Sequence, residues 1–340
     1  MNHLLDMTPD AVAGELASLG QPAYRAGQVL EWVWRRGVTD FAEMANLPAE
    51  LRCRLADRLA ILTGRPARRT DAADGVIKLL VEWPDHRHVE TVLIPAGGRR
   101  TACLSTQVGC PVGCAFCASG IGGLERTLSA GEIVEQIFHL QAACRQRVTH
   151  VVVMGMGEPL LNYDATVAAV RAMIDPARGG ISARRVTVST VGLPNQIRRL
   201  AGEDLPITLA ISLHAPNDTL RRELIPAARG VPLEELIRAA AEFFARRHRE
   251  VTLEYVLLAG VNDSPACAAE LAAIARRLRC NVNLIRFNPV PGLDFRAPDE
   301  RDVRGFRDHL RAAGVNVHIR TSRGADADAA CGQLRRGGGV

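Results

Sequence analysis

Residues 107–120 read QVGCPVGCAFCASG, with Cys110, Cys114 and Cys117 in the spacing C-x3-C-x2-C. Three thiolates so placed can hold three irons of a cubane 4Fe–4S cluster and leave the fourth iron without a protein ligand. An open iron can bind a substrate, so the triad predicts a reactive cofactor rather than a structural staple. A disulfide would need an even set and an oxidising compartment. Structural zinc would need four closed ligands, and no C-x2-C or H-x3-H partner lies nearby. A plain electron-transfer centre would need a fourth cysteine placed to complete the cage.

Outward from this loop the chain alternates strand, loop and helix. The apolar runs 101–108, 148–154, 185–190, 207–213, 251–258 and 282–287 predict strands, and 315–320 adds one more. Helices lie between them. One opens at the capping box Ser129-Ala130-Gly131-Glu132, another at Ser264-Pro265. The expected fold class is α/β: a parallel sheet curled as a partial (β/α)6 barrel, with a flat doubly wound sheet as the alternative that the pattern leaves open. Ligands gather at the carboxyl ends of such strands. Cys110–Cys117, the glycine loop 154–159, Ser189, Ser212 with Leu213 and His214, and Asn288 all fall at that rim.

Before the barrel, Thr8-Pro9 predicts a helix start and Gly20 its end. A second helix is expected over 23–36, with Tyr24, Val29, Leu30 and Val33 at helical spacing and Trp32 and Trp34 on different faces. A third follows over 48–62, and 75–83 with 89–95 alternate like a hairpin. The 340 residues, 47% hydrophobic and 23% charged, describe an ordinary globular chain with no apolar run of membrane-helix length. The start MNHLLDMTPD lacks a signal-peptide pattern, and nine cysteines without a leader predict a reducing cytoplasm. Among 42 Lys plus Arg residues Lys78 is the only lysine, and the net charge of +5 admits an RNA partner without demonstrating one.

With Phe116 before its last cysteine, the triad resembles that of the radical S-adenosylmethionine superfamily. The strings CLSTQVGCPVGCAFCASG, MGMGEPLLN, RRVTVSTVG, AISLHAPND, EYVLLAGVND, LIRFNP and DADAACGQL, with YRAGQVLEWVWRRG near the start, together resemble the RlmN/Cfr family of radical S-adenosylmethionine RNA methyltransferases, and its RlmN branch most. The resemblance implies a small N-terminal helical accessory domain (1–62), a β-hairpin extension (63–98), the partial barrel (99–320) and a tail with a catalytic cysteine (321–340). It implies Cys110, Cys114 and Cys117 as cluster ligands and two S-adenosylmethionine molecules per turnover. Gly157, Glu158, Ser189, Ser212, Leu213, His214 and Asn288 become the expected cofactor contacts.

The resemblance further implies that Cys331 takes a methyl group from one S-adenosylmethionine, and that a radical made from the second activates this group for addition to adenine. Cys103 then attacks the Cys331 sulfur, which releases methylated RNA and leaves a disulfide for reduction. Glu90 is the expected proton acceptor. Tyr24, Arg25, Trp32, Arg35 and Arg36 are candidate RNA contacts. Implied partners are 23S ribosomal RNA, transfer RNA and a flavodoxin or ferredoxin electron donor, for a monomer without membrane association. Adenine carbon 2 is the expected target. Methylation at carbon 8, a radical activase acting on protein, and a non-catalytic iron–sulfur RNA-binding protein are the alternatives. Cys53, Cys144, Cys267 and Cys280 are read as ordinary small apolar residues.

Overall fold

The structure, a computed structural model, describes residues 1–335; the last five residues of the expected tail lie outside this range. The N-terminal module comprises β1 (Asn2–His3), α1 (Pro9–Ser18), α2 (Tyr24–Leu30), α3 (Ala49–Arg58) and β2 (Leu59–Ala60). Thr8 caps α1 by accepting the Ala11 amide at 3.2 Å, with proline at the first helical position. The expected second helix is present, but past Leu30 it widens into a π turn, Glu31–Arg35. Val29, Leu30, Val33 and Trp34 are buried, whereas Tyr24 projects outward at 62% exposure, which removes it from the apolar face. The third helix is shorter than expected because Leu59 turns extended to pair with Asn2 in a two-stranded parallel ladder.

The remaining strands are β3 (Arg65–Asp71), β4 (Ile77–Glu82), β5 (His88–Ala96), β6 (Arg99–Cys103), β7 (Gln107–Gly109), β8 (Leu124–Thr127), β9 (His150–Val153), β10 (Val186–Thr190), β11 (Thr208–Ser212), β12 (Val251–Leu257), β13 (Cys280–Arg286) and β14 (Val317–Arg320). Between them lie α4 (Ala130–Cys144), α5 (Tyr163–Ile174), α6 (Pro194–Gly202), α7 (Asp218–Leu224), α8 (Leu233–Arg247), α9 (Pro265–Ala275) and α10 (Glu300–Ala312). One ten-stranded sheet runs β14-β13-β12-β11-β10-β9-β6-β5-β4-β3. From β6 through β14 neighbours are parallel and spatial order follows chain order. Right-handed crossovers that all step the same way put the helices on one face, so the sheet curls. A doubly wound sheet would reverse its order at a switch point, and this one does not. Alternate residues such as Val151, Val153, Val188, Leu209, Leu253 and Leu284 are buried on the concave or helix-covered faces.

The expected hairpin extends the barrel sheet: β4 and β5 pair antiparallel, β5 pairs with β6, and an additional edge strand, β3, pairs with β4. β3 (RPARRTD) is almost wholly exposed, so it lacks the alternation by which a strand is read, and its arginines suit an unpaired sheet edge. The strand expected over 101–108 is two strands. After Cys103 the chain is drawn off the sheet: the Ser105 amide donates to Gln136 Oε1 (2.9 Å), Ser105 Oγ to the Glu90 carbonyl (2.6 Å), and the Thr106 amide to the Met156 carbonyl (2.8 Å). β7 then pairs with β8 and the two hold the cysteine loop between them. The capping box at Ser129 and the cap at Ser264 form as expected.

Candidate active site

A cavity lies at the carboxyl ends of the parallel strands, with about 950 Å³ of empty space when the solvent-open part is included. Cys110, Cys114 and Cys117 form one wall. Their loop is fixed by backbone bonds from Cys117 to the Cys114 carbonyl (3.2 Å), Ala115 to Leu224 (2.9 Å) and Ala118 to Gly332 (2.8 Å). Burial pushes the Cys110 thiol up to about 11 and Cys114 well above its ordinary range; negative charge on the neighbouring triad sulfurs adds to both shifts. All three cysteines line the same cavity. Among the described residues no three His, Cys, Asp or Glu side chains converge as a single ion would require. A cubane takes each sulfur on a separate iron. Three thiols from one loop line the cavity and a fourth, Cys331, enters it from the tail; the loop's triad fits a cluster held by three cysteines.

A glycine loop, with Gly155 and Gly157, also lines the cavity. Gly157 has φ +101°, and a Cβ there would stand 2.7 Å from Gln107 Cβ and 2.8 Å from Thr106 Oγ1, so only glycine lets the loop lie against β7. Glu158 is buried; its Oε2 accepts the Val191 amide (2.7 Å) and its Oε1 the Leu160 amide (3.0 Å). Burial raises its carboxyl, and those amides oppose the rise. Ser189 and Ser212 meet at 3.3 Å between their hydroxyls and line the cavity.

His214 also lines the cavity, in a left-handed conformation, with Nδ1 accepting the Val256 amide at 3.0 Å. Burial holds its imidazole down to about 3, helped by Arg221, so the ring is neutral. Leu213 is different. Its side chain is buried in the core and does not border the cavity, while its backbone joins Glu254 and Arg221. Arg221, buried beneath the rim, donates to the carbonyls of Ser212, Leu213 and Val191 and so ties two strand ends together.

A second cavity adjoins the first. It is bordered by Cys103, Asn288, Arg320 and Cys331, and Cys331 and Arg320 belong to both walls. Asn288 does not border the main cavity; its side-chain amide donates to the Cys331 carbonyl at 3.1 Å. Cys103 is buried, and its thiol is pushed up to about 12 by burial and by the nearby Cys331 sulfur. Cys331 is accessible from the cavity, yet dense protein around its sulfur raises that thiol as well. Arg320 opposes both shifts, and Glu254 Oε2 lies 3.5 Å from its guanidinium. All nine cysteines are free thiols. The disulfide implied for Cys103 and Cys331 is therefore not formed; the two stand as separate thiols, the reduced condition of the pair.

Glu90 is 1% exposed, unlike an ordinary surface-strand glutamate. Its Oε1 lies 3.0 Å from Lys78 Nζ and its Oε2 accepts the Arg335 amide at 2.9 Å. In the N-terminal module Arg25 stacks over exposed Tyr24 at 5.2 Å and Arg36 over Trp32 at 4.1 Å, while Arg35 donates to the Pro176 carbonyl. Arg320, Glu254, Arg221 and Lys78 were not singled out from sequence as site residues. A charged residue inside the apolar run of β12 was the available signal for Glu254. For Arg320 it was position at the carboxyl end of the last strand.

The chain is similar to known proteins along nearly its whole length. Residues 104–271 match the Radical SAM superfamily and residues 2–61 the ribosomal RNA large subunit methyltransferase N-terminal domain. A probable dual-specificity RNA methyltransferase RlmN from Rhodopirellula baltica is 44% identical over 99% of this chain and 92% of its own length. The protein of the same name from Gloeobacter violaceus is 46% identical over 98% and 95%. A crystal structure of a radical SAM methyltransferase from Sphaerobacter thermophilus superposes with a TM-score of 0.96 at 45% identity, covering 98% of this chain and 99% of that one. The hydrogenase maturase HydG, 14% identical with a TM-score of 0.51 over 69% of this chain and 55% of its own, shares the fold alone. A thiol triad facing an open cavity, two further thiols beside it and near full-length similarity lead to one assignment: this chain belongs to the RlmN family of radical S-adenosylmethionine RNA methyltransferases.

Proposed function

We propose that this chain methylates carbon 2 of an adenosine in the peptidyl-transferase centre of 23S ribosomal RNA, and of the adenosine 3′ to the anticodon in transfer RNAs, through an S-methylcysteine on Cys331. The observation that carries this reading is the shared wall: Cys331 borders both the triad cavity and the cavity of Cys103. Adenine carbon 2 is electron-poor and cannot attack a methyl sulfonium, so a protein nucleophile must carry the methyl group first. Cys331 is the accessible thiol, and Arg320 stabilises its thiolate form.

When bound at Cys110, Cys114 and Cys117, the cluster and S-adenosylmethionine supply one-electron cleavage to a 5′-deoxyadenosyl radical, which activates the methyl group held on Cys331. Gly157 and Glu158, with Ser189, Ser212 and His214, form the S-adenosylmethionine-binding rim in this reading, to which Leu213 offers only its backbone, while Asn288 holds the Cys331 loop. A neutral His214 offers a hydrogen-bonding edge without charge. Glu90 accepts the proton from the adenine carbon. Cys103 thiolate attacks the Cys331 sulfur; the S–S bond forms as the carbon–sulfur bond to RNA breaks, the freed methylene carbon takes up a proton to become the methyl group, the odd electron left by radical addition would return to the bound cluster, and an external reductant restores the thiols.

In the same reading, 1–62 is the RNA-contacting accessory domain, 63–98 an extension, 99–320 the barrel and 321–340 the catalytic tail. Exposed Tyr24 with Arg25, and Trp32 with Arg36, suit stacking on unpaired bases. The target base reaches the rim by extrusion from its stack. A flavodoxin or ferredoxin supplies electrons to a monomeric enzyme in the cytoplasm.

Anaerobic reaction with both RNA types, followed by digestion and identification of the methyladenosine isomer, tests the proposal. 2-Methyladenosine is expected, while 8-methyladenosine would select the carbon 8 alternative. Cys331→Ala is expected to abolish RNA methylation and retain the cluster's absorbance. Methylation that survives this change would eliminate the S-methylcysteine route. Absence of 5′-deoxyadenosine would identify a non-catalytic protein, and hydrogen abstraction from a protein substrate an activase.

A further inference from the structure

Lys78 occupies an unusual position for the only lysine of the chain. It is 6% exposed on β4, and its Nζ has two partners: Glu90 Oε1 at 3.0 Å and the Asp328 carbonyl at 3.0 Å. Asp328 lies three residues before Cys331. Beyond Cys331 the tail returns to the same carboxylate, because the Arg335 amide donates to Glu90 Oε2 at 2.9 Å. The Cys331 loop is thus tied on both sides to one buried ion pair. A compact ammonium with three rotatable donors can meet a carboxylate oxygen and a carbonyl together in a closed space, where a planar guanidinium is bulkier and more rigid.

Other bonds set the tail's path: Ser119 Oγ to the Leu334 carbonyl at 2.6 Å, and Gln333 Nε2 to the Pro289 carbonyl at 3.0 Å. With the tail so docked, Glu90 has no surface to offer a substrate. A proton acceptor must come within hydrogen-bonding reach of the atom it deprotonates. Adenine therefore meets Glu90 only when the segment at Arg335 has moved away.

We propose that Lys78 is a positioning residue that couples docking of the Cys331 tail to access to Glu90: its ammonium pins both, and departure of the Arg335 amide opens the carboxylate to RNA. The proposal rests on the reading of Glu90 as proton acceptor. In the docked arrangement the tail holds Cys331 at the junction of the two cavities while Glu90 is covered. In the released arrangement Lys78 keeps Glu90 oriented as the tail leaves.

The test uses the full-length, cluster-loaded protein without RNA. Alkylation of Cys331 is followed by peptide mass spectrometry with exposed Cys53 as internal control, and hydrogen exchange is measured across 326–335. Lys78→Met is expected to speed Cys331 alkylation roughly tenfold, the scale of one lost charge-assisted bond, and to leave Cys53 unchanged. Exchange should rise in 326–335 and not in β4 or β5. Exchange raised throughout β4 and β5 would reveal a merely structural lysine and overturn the proposal, as would unchanged alkylation.

Arg335→Pro deletes the tail amide donor together with the 3.8 Å ion pair of Arg335 with Asp328, which Arg335→Ala removes alone; the proline variant is expected to accelerate Cys331 alkylation beyond the alanine one, and no difference between them also overturns the coupling. The Lys78→Met/Glu90→Gln double variant should be no faster than either single one, since both break one network, and additive effects would contradict this. The two readings fail separately. Glu90→Gln protein that still methylates RNA removes the proton-acceptor role, whereas unchanged tail labelling beside an inactive Glu90→Gln removes only the coupling.

Discussion

Asn288, at the carboxyl end of the β13 segment, donates its side-chain amide to the carbonyl oxygen of Cys331 at 3.1 Å. The barrel rim therefore holds the loop that carries the accessible thiol. Asn288→Ala removes one neutral hydrogen bond of about 1 kcal/mol. RNA methylation is expected to fall roughly five- to tenfold, with S-adenosylmethionine affinity little changed. Isothermal titration beside a methylation time course checks this. A large loss of S-adenosylmethionine affinity would instead return Asn288 to direct cofactor contact.

Cys103→Ala is expected to stop turnover after the RNA has become attached, because the sulfur that would release it is gone. Protein isolated after reaction should carry covalently bound nucleotide on the Cys331 peptide. Protein free of nucleotide would count against the releasing role of Cys103.

Gly157→Ala places a methyl group 2.7 Å from Gln107 Cβ at a φ of +101°. The strain is about 1–3 kcal/mol, and relief requires the loop that ends in Glu158 to shift. A melting point lower by several degrees and weaker S-adenosylmethionine binding are expected, while the cysteine loop retains its cluster. Calorimetry and iron analysis read the two effects separately.

His3 lies 3.1 Å from buried Glu135 on α4, which also accepts the amides of Thr63 (2.8 Å) and Gly64 (2.7 Å), and so joins the N-terminal module to the barrel. Burial opposes charge on His3, but Asp6 and Glu135 outweigh it and raise the imidazole from 6.5 to about 9. Its contribution to stability is therefore fully present below pH 6.5 and is lost as pH rises through about 9. Burial also opposes ionisation of Glu135, yet hydrogen bonds from His139 and His3 hold it down to about 2 from 4.5. That contribution is present above pH 4.5 and is lost as pH falls through about 2. His3→Ala should lower the melting point by a few degrees near pH 6, and the gap to the unaltered protein should close above about pH 9. A gap independent of pH would refute the charged pairing.

Much of the architecture was legible because it is local. The capping box at Ser129 and the proline starts at Pro9 and Pro265 involve neighbours within a helical turn, and the barrel strands carry apolar runs of strand length. Where long-range bonds override the local pattern, reading fails. The apolar stretch 101–108 looks continuous, but Ser105 and Thr106 are bound by Gln136, Glu90 and Met156, so the chain leaves the sheet there. β3 carries no alternation because it is an exposed edge.

The candidate site divides in the same way. The spacing of Cys110, Cys114 and Cys117 and the glycines of 155–157 are covalent-neighbour facts, and by themselves they pointed to an open-iron cluster at the end of a barrel strand. Only the tertiary structure decided what Glu90 meets. Its partners are Lys78, twelve positions earlier on the neighbouring strand, and the backbone of Arg335, 245 positions later. It also decided that Arg320 borders the cavity shared by Cys103 and Cys331, and that Glu254 lines the triad cavity with Cys331. Burial and charge pairing depend on which distant segments pack together, and no local period or spacing encodes that.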